Sequence, residues 1–308
     1  EGLHGATVFT TLDLRSGYWQ IPLRKEDIHK TAFCPGANMP LFEFTRMPFG
    51  LHSATATFQS LMDRKLGHLP FVKVYLDDIL IASPDLKTHL EHLRIVFRIL
   101  AEANLTLNAS KCEFAAPSVH YLGHIFDGHG TRPDPDRVDT IANWAPPTTV
   151  TEIKQFLGLV GYYREFIPRF ASIALPIQRL TSTCAATPNA IQEHWSAECD
   201  ERFAILKRAL MDLPALSYPD FDMPFEICCD ASNYAIGAVL QQEGRPLSFF
   251  SQSLSGPQLR WHTFEKEGFA LFRALQKFRH YVLGHGLVVT IFSDHRPLQH
   301  LAKCESPR

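Results

Sequence analysis

The stretch Val72-Lys73-Val74-Tyr75-Leu76-Asp77-Asp78-Ile79-Leu80-Ile81-Ala82 decides the fold of the first part of this chain. Apolar residues alternate with polar or amphipathic ones as far as Leu76, and an apolar run resumes at Ile79, which predicts two β-strands. The two aspartates then lie at the tip of a β-hairpin. Adjacent carboxylates repel each other, which costs free energy unless a cation is held there. The pattern alone favours a solvated turn and leaves a divalent-metal site open.

A further aspartate stands in a similar setting nearer the start of the chain. Asp13 follows the apolar, strand-like run Val8-Phe9-Thr10-Thr11-Leu12. Carboxylates from separate strands can hold two divalent ions about 3.5–4 Å apart, which activate a hydroxyl and stabilise the leaving oxygen in phosphoryl transfer. Mg²⁺ prefers such oxygen ligands. Asp13, Asp77 and Asp78 are therefore candidate ligands of a two-metal site.

Proline and glycine punctuation divides the chain into three blocks. Residues 1–126 mix strands with helices, which indicates an α+β fold. A turn-rich connector is expected from Asp127 to Thr149, followed by helices up to about residue 190. Helical spacing of apolar residues predicts helices from Leu86 to Ala103 and from Phe264 to Val282. The capping box Thr149-x-x-Glu152 predicts the start of another.

The composition is that of an ordinary globular chain, with 308 residues, 45% hydrophobic and 20% charged. Its apolar runs are too short to cross a bilayer and no secretory signal is present, so no membrane partner is expected. The formal net charge of −2 counts mildly against a nucleic-acid partner. It does not exclude one, because the charges of an acidic metal centre and of a basic groove cancel in the net charge. The seven cysteines form no C-x-x-C pair and are expected to be reduced thiols.

Several motifs, in their order along the chain, resemble the Pol polyprotein of Gypsy-type long-terminal-repeat retrotransposons. Tyr75-Leu76-Asp77-Asp78 is similar to the Tyr-x-Asp-Asp box of reverse transcriptases, and Thr11 to Ile21 is similar to the family's Leu-Asp-Leu-x-Ser-Gly-Tyr-x-Gln-Ile motif. The other similar segments are Met47-Pro48-Phe49-Gly50-Leu51, Lys111-Cys112-Glu113-Phe114, Tyr121-Leu122-Gly123-His124 and Phe156 to Arg164. The resemblance implies a right-hand polymerase palm with partial fingers over 1–126, a connector and helical thumb over 127–190, and a truncated RNase H-like α/β domain over 191–308.

The same resemblance implies roles for residues of the polymerase part. Asp13, Asp77 and Asp78 would bind two Mg²⁺ ions, with Mn²⁺ as a possible substitute. Tyr18 would lie under the incoming sugar and exclude a 2′-hydroxyl. The alternative for Tyr18 is a tyrosine of the core. The other implied contacts are Phe49 and Gly50 at the nucleotide pocket, Gln59 and Lys73 on template or primer, and Lys154, Tyr163 and Arg164 on the thumb. An amphipathic core helix remains the alternative for the thumb segment.

A second set of acidic residues occurs in the last block. Asp230 ends the strand-like run that begins at Phe225, and Asp294 ends the run that begins at Leu287, while Glu265 opens the predicted helix between them. Spacing alone indicates a metal site only weakly. The segments around these residues resemble the RNase H domain that is fused to the same polymerases. That resemblance implies metal binding by Asp230, Glu265 and Asp294, and we expect Glu267, two residues further along the helix, to face away.

The implied function is RNA-directed DNA polymerisation on an RNA or DNA template with a DNA or RNA primer and deoxynucleoside triphosphates, together with RNase H-type hydrolysis of RNA in RNA–DNA hybrids. The family's life cycle implies a cytoplasmic, particle-based location. Because the chain starts twelve residues before Asp13 and stops at Arg308, we expect a missing fingers segment and a missing fourth RNase H ligand. The alternative is a catalytically incompetent remnant that at most binds nucleic acid. An unrelated α/β enzyme is disfavoured, since no Gly-rich phosphate loop, Gly-x-Ser-x-Gly or His-Glu-x-x-His motif occurs.

Overall fold

Two compact units make up the chain, Glu1–Gly128 and His129–Arg308. The computed structural model describes residues 3–184, 191–284 and 286–298. The further division predicted near residue 190 falls within the range of the second unit. Across the described ranges, no helix combines the length and the hydropathy that a membrane crossing requires.

An antiparallel four-stranded sheet in the order β2-β3-β1-β4 forms the centre of the first unit. Its strands are β1 (Val8–Asp13), β2 (Val72–Tyr75), β3 (Asp78–Ser83) and β4 (Glu113–Ala116). Helices α1 (Ala54–Leu66) and α2 (Leu86–Glu102) pack on it. A further hairpin is formed by β5 (Ser118–Tyr121) and β6 (His124–Asp127). The α+β fold and the hairpin at Asp77-Asp78 are as predicted.

Burial of the sheet on both faces explains the apolar run that follows Asp78. Successive side chains of a strand point to opposite faces. Ile79 and Ile81 belong to the core that contains the helices, whereas Leu80 and Ala82 belong to the core that contains Val119 of β5. A slip of one residue would exchange these two sets. The register of β3 is therefore strongly specified, and with it the position of Asp78.

Helices dominate the first half of the second unit. They are α3 (Pro135–Ala142), α4 (Val150–Tyr162), α5 (Phe170–Thr183), α6 (Ile191–His194) and α7 (Ala197–Met211), preceded by the short strand β7 (Gly130–Pro133). The predicted capping residues are both engaged: Thr149 accepts from the backbone N–H of Glu152, whereas Glu152 accepts from the backbone N–H of Thr148, one residue before the N-cap. The predicted start of α4 is therefore confirmed.

The expectation of a turn-rich connector from Asp127 to Thr149 is wrong in part, because this segment contains β7 and α3. Asp134 accepts a hydrogen bond from the backbone N–H of Asp136 and so caps α3. Pro135 occupies the first turn, where its fixed φ suits a helix and its missing N–H costs nothing. A proline that was taken to indicate a turn is here part of a helix start.

A second sheet, in the order β10-β9-β8-β11, fills the remainder of the unit. Strand β11 (Thr290–Ser293) runs parallel to β8 (Glu226–Ala231), and the pairs that β9 (Ala235–Gln242) makes with β8 and with β10 (Arg245–Ser253) are antiparallel. Helix α8 (Thr263–Val282) packs on β8 and β9. Phe249 packs against the helical core and Phe250 against the core that contains α8, so the sheet is covered on both faces.

Candidate active sites

Strand register brings two carboxylates of the first unit side by side. Asp13, the last residue of β1, lies directly opposite Asp78, the first residue of β3. Residues in such positions have Cβ atoms about 4.5–5.5 Å apart. Burial raises the pKa of Asp78, and the charges of Asp77 and Asp13 raise it further. The three aspartates that the sequence singles out are thus near enough for their charges to interact.

The turn that carries Asp77 is held by a glutamine from α1. Leu76 has the left-handed φ of 55°, a conformation that costs an L-residue about 1–2 kcal/mol. Oε1 of Gln59 accepts from the backbone N–H of Leu76 at 2.7 Å, and Nε2 donates to the carbonyl of Val74 at 3.2 Å and to Oδ1 of Asp63 at 2.8 Å. The expected template or primer contact of Gln59 is therefore replaced by a positioning role, because its amide is engaged within the protein.

Gly17 allows close approach to the same turn. A Cβ at this position would lie 2.8 Å from Cζ of Phe58 and 3.3 Å from Cβ of Asp77. Both separations are shorter than side chains normally tolerate, and the phenyl ring has no room to retreat in a buried core. The glycine of the motif is therefore a packing requirement at the carboxylates.

One lysine of the protein reaches the carboxylates of the first unit. Nζ of Lys111 lies 3.6 Å from Oδ2 of Asp13, and the lysine side chain is 66% exposed. Such solvent-exposed pairs contribute about 0–1 kcal/mol, so an arriving cation can displace it. A cavity of about 190 Å³ opens beside this pair and is lined by Asp13, Asp78, Lys111 and Tyr121 among others.

The residues expected at the nucleotide pocket contact one another. The ring of Tyr18 packs against those of Phe49 and Phe58, with both centroid separations at 5.3 Å. Its hydroxyl lies 3.2 Å from Oγ1 of Thr55. Phe49 is 65% exposed, and Gly50 has φ 90°, which favours glycine. Thr55 is a residue that the sequence did not indicate: its hydroxyl fixes the orientation of the Tyr18 ring.

The expectation that Tyr163 contacts nucleic acid is wrong. Its side chain is fully buried, and burial raises the pKa of Tyr163 to about 12. It continues the core-facing stripe of Ile153, Phe156 and Val160 at helical spacing. Its neighbour Tyr162 is 48% exposed. The period of the stripe was readable in the sequence and assigns Tyr163 to the core.

The three basic residues expected to contact nucleic acid differ in exposure. Lys154 and Arg164 are exposed, on α4 and just after it, whereas Lys73 is half-buried in β2. Lys154 and Arg164 line one groove together with residues of α4 and α5. A backbone contact by these two therefore stays a prediction that the geometry permits.

In the second unit, parallel pairing brings two aspartates to one edge of the sheet. Ser293 of β11 lies opposite Cys229 of β8, so Asp294 follows beside Asp230. Glu267 of α8 faces the same edge: it is 3% exposed, and its Oε1 accepts from the backbone N–H of Ala231 at 3.2 Å. Burial raises the pKa of Glu267, with further contributions from the charges of Asp294 and Asp230.

Two expectations about the glutamates of α8 are therefore wrong. Glu267 faces the aspartates instead of facing away, and Glu265 does not join them. Oε2 of Glu265 accepts from the backbone N–H of His262 at 2.9 Å and closes a capping box at the start of α8. Residues two apart lie about 200° apart around a helix, so only one of the two can face the sheet. An acidic residue at the third helical position is a sequence signal for a capping box, and this signal was missed.

The donor sets fit a hard divalent cation, although neither set is closed around one. Within the described ranges, no three His, Cys, Asp or Glu side chains stand close enough together to hold a metal ion unaided. The first unit offers carboxylate oxygens, which Mg²⁺ prefers. In the second unit the buried Oε2 of Glu267 has no hydrogen-bond partner among the described residues, and a buried oxygen without a partner is costly unless a cation or proton is supplied.

Comparison with protein families identifies both units. Residues 1–126 match the family described as reverse transcriptase (RNA-dependent DNA polymerase). Residues 195–289 match the family described as an RNase H-like domain found in reverse transcriptase. That second match ends before Asp294, so the position of this aspartate rests on the pairing of β11 alone.

Three relatives match nearly the whole of this chain. The Pol polyproteins of the Drosophila melanogaster transposons 297 and gypsy are 42% and 38% identical over 301 and 306 residues, which are 97% and 95% of this chain. The transposon Tf2-3 polyprotein of Schizosaccharomyces pombe is 34% identical over 304 residues, 96% of this chain. The chain spans 28%, 29% and 22% of the lengths of these three relatives.

Solved structures show the same architecture. The foamy viral protease-reverse transcriptase in complex with an RNA/DNA hybrid matches 96% of this chain and 40% of its own, with a TM-score of 0.84 and 26% identity. The same protein in complex with dsDNA matches 98% of this chain and 62% of its own, with a TM-score of 0.83 and 26% identity. This chain belongs to the family of retrotransposon Pol polyproteins, of which it carries a reverse transcriptase domain and an RNase H-like domain.

Proposed function

We propose that the first unit catalyses RNA-directed DNA synthesis by two-metal nucleotidyl transfer at Asp13, Asp77 and Asp78. The observation that supports this most strongly is the pairing of Asp13 with Asp78 on adjacent strands. Burial and the two neighbouring charges both raise the pKa of Asp78. A carboxylate in such surroundings is stabilised by a divalent cation, and Mg²⁺ or Mn²⁺ supplies that charge and activates the attacking hydroxyl when bound.

The residues around the three aspartates orient the reactants. Gln59 holds the turn of Asp77 in place, since it satisfies polar groups on both sides of the turn. Tyr18 lies beside Phe49 with its hydroxyl held by Thr55, and a ring in that place excludes a sugar that carries a 2′-hydroxyl. Orientation of this kind is a large part of what a polymerase contributes, since two reactants must meet in line. The substrates are a primer–template and deoxynucleoside triphosphates.

The second unit is proposed to hydrolyse the RNA strand of RNA–DNA hybrids. Asp230, Glu267 and Asp294 would hold the divalent ions there, with Glu267 in the place that the sequence assigned to Glu265. The burial of Glu267 and its proximity to both aspartates support this choice. The foamy viral protein whose structure this chain resembles was solved in complex with an RNA/DNA hybrid, which is the substrate class proposed here.

The test is primer extension on an RNA template with a DNA primer, in Mg²⁺ and separately in Mn²⁺. The variant Asp77→Asn/Asp78→Asn is expected to reduce extension to background. Glu102→Gln, which removes an exposed carboxylate of α2, is the matched control and should extend as the unaltered chain does. If the folded, unaltered chain extends no primer with either metal, the proposal fails and the chain is a catalytically incompetent remnant.

A further inference from the structure

A cavity lined by arginines opens beside Asp230 in the second unit. Its volume is about 600 Å³. Arg169 and Arg179 line it from the α5 segment, Arg202 lines it from α7, and Gly237 contributes from the neighbouring strand β9. We refer to it as the arginine cavity. Three guanidinium groups therefore surround one space.

The acidic residues of the arginine cavity do not cancel these charges. Arg169 lies 3.2 Å from Oδ2 of Asp230, and Arg202 lies 3.8 Å from Oε1 of Glu198. Arg179 lies over the ring of Tyr234 at 5.8 Å, and in the described part of the chain it forms no ion pair. The lining therefore carries one positive charge in excess, and its two ion pairs are of the exposed kind that contributes about 0–1 kcal/mol.

Arg202, which lines the arginine cavity, carries a donor that the described residues leave unsatisfied. Its Nε is buried and has no hydrogen-bond partner among the described residues. Leaving such a group unsatisfied costs about 1–3 kcal/mol, and more when the group is charged. The planar guanidinium fork matches the oxygens of a carboxylate or a phosphate, and the phosphate is the one that a nucleic-acid strand carries.

We propose that the arginine cavity binds a phosphodiester group of a nucleic-acid strand and so holds that strand beside Asp230. The proposal rests on the hydrolytic part of the proposed function for the identity of its ligand. Arg169 then exchanges partners, leaving Asp230 for the phosphate. The carboxylate of Asp230 becomes available to a divalent cation, and each charge keeps an opposite charge beside it.

The dimensions of the arginine cavity favour a strand over a free phosphate ion. A volume of about 600 Å³ is several times what one phosphate needs, and the lining also contains apolar groups, Ile173, Pro176 and Ile236 among them. Sugar carbons can pack on such groups while the guanidinium groups bind the phosphate. The hydroxyl of Ser172 lies in the same lining and offers a neutral donor of the kind that often contacts a nucleic-acid backbone.

The test is the binding of a fluorescent RNA–DNA hybrid in the absence of divalent metal, measured by anisotropy across a series of salt concentrations. The variant Arg179→Gln/Arg202→Gln is expected to bind the hybrid several-fold more weakly. The slope of log K against log salt should shrink by about 0.9 for each phosphate contact that is lost. The matched control is Arg208→Gln, which removes an exposed arginine of α7 outside the cavity and should change neither quantity. Circular dichroism confirms that each variant is folded.

Each other outcome has a definite meaning. If the double variant binds as the Arg208→Gln control does, or if the unaltered chain binds no hybrid, the proposal is overturned. Inorganic phosphate at constant ionic strength provides a further arm. Stabilisation of the unaltered chain alone, with equal hybrid affinities, would make the cavity a small-anion site and would also overturn the proposal. Extension and hydrolysis assays on the same preparation keep the two ideas apart, since both activities can be absent while the loss of affinity persists.

Discussion

At the scale of single residues, Gln59 holds the turn that carries Asp77 in place. Two of its hydrogen bonds join α1 to the turn of Asp77, and a third reaches Asp63 on the same helix. The left-handed Leu76 stores strain, and strain of this kind persists only where the surroundings enforce it. Without the glutamine, the turn can adopt a conformation of lower free energy, and the carboxylate of Asp77 then moves with the turn.

We therefore expect Gln59→Leu to lower the kcat of primer extension about tenfold, which corresponds to about 1.4 kcal/mol of transition-state stabilisation. The KM for the deoxynucleotide should change much less, because Gln59 touches no substrate in this arrangement. Steady-state kinetics measure both quantities. Gln155→Leu, on the exposed face of α4, is the control. A rise in the KM for the primer–template with an unchanged kcat would restore the template or primer contact and refute the positioning role.

The two glutamates of α8 provide a second prediction at this scale. Glu267→Gln should lower hydrolysis of an RNA–DNA hybrid at least about a hundredfold, as removal of a group that stabilises transition-state charge does. Glu265→Gln should leave the rate within about twofold. It should also leave the unfolding midpoint nearly unchanged, because the side-chain oxygen of a glutamine can still accept from the backbone N–H of His262. Hydrolysis assays and thermal unfolding of both variants decide this, and the opposite pattern would return the role to Glu265.

The residues that the sequence could and could not assign differ in a physical way. Asp13, Asp77 and Asp78 stand at strand ends, where local pattern fixes both position and direction. The choice between Glu265 and Glu267 depends on which face of α8 packs on the sheet, and Glu267 lies at helical spacing from the buried Ala270, Ala274 and Phe278. Two of these three residues are alanines, whose small side chains mark the buried face only weakly in the sequence.

At the scale of elements, α2 and the four-stranded sheet of the first unit share a buried polar network. His89 is fully buried. Its Nε2 lies 2.7 Å from Oγ1 of Thr10 and its Nδ1 lies 2.8 Å from Oγ of Ser83, which in turn lies 2.8 Å from Nδ1 of His92. Thr10 also accepts from the backbone N–H of Ala115. The network joins β1, β3, β4 and α2 around a buried imidazole, and burial disfavours its charged form.

Stability should therefore fall in mild acid. Burial lowers the pKa of His89, and the charge of His92 lowers it further. Burial also lowers the pKa of His92, against smaller opposing effects of the charges of Glu91 and Asp85. The unfolded chain binds these protons more tightly, so the stability is complete above the ordinary pKa of about 6.5 and is lost as pH falls towards the lower folded value.

The measurement is the urea midpoint of the unaltered chain and of His89→Gln between pH 7.5 and 5. The variant should be less stable at pH 7.5, because the network is altered, and should lose less stability on acidification. Acid-sensitive carboxylates act equally on both proteins, so the difference between the two curves isolates the imidazole. Parallel curves would show that His89 does not control the acid response.

Elements with a strong apolar period were predictable, as was the start of α4 from its capping signal, whereas a helix with few core residues was not. Helices α2 and α8 and the strands β2 and β3 lie within a residue or two of their predicted positions, since each carries several periods of pattern. Helix α3 has only Val138 and Ile141 in the core, which is too few to establish a period. Its start at Asp134-Pro135 resembles a turn, and only the packing of Val138 and Ile141 against the rest of the unit distinguishes the two.

At the scale of the whole molecule, the chain carries two sets of carboxylates on two separate sheets. The contacts described for Asp13, Asp77 and Asp78 come from residues of the first unit, and those for Asp230, Glu267 and Asp294 come from the second. The grouping of the second set depends on the parallel pairing of β11 with β8 across about sixty residues of sequence. Local pattern cannot establish such a pairing, and the resemblance to RNase H domains supplied it.

This separation predicts that each activity can be removed without the other. Asp77→Asn/Asp78→Asn should abolish primer extension and leave hydrolysis of a preformed hybrid within about twofold, since effects at sites without shared partners are nearly independent. Glu267→Gln should do the reverse. Both assays are run on one hybrid substrate with a recessed primer, so that a defect in hybrid binding lowers both signals together. Loss of both activities in either variant, with hybrid affinity unchanged, would show that the two carboxylate sets are coupled and that the units cannot be treated as separate catalysts.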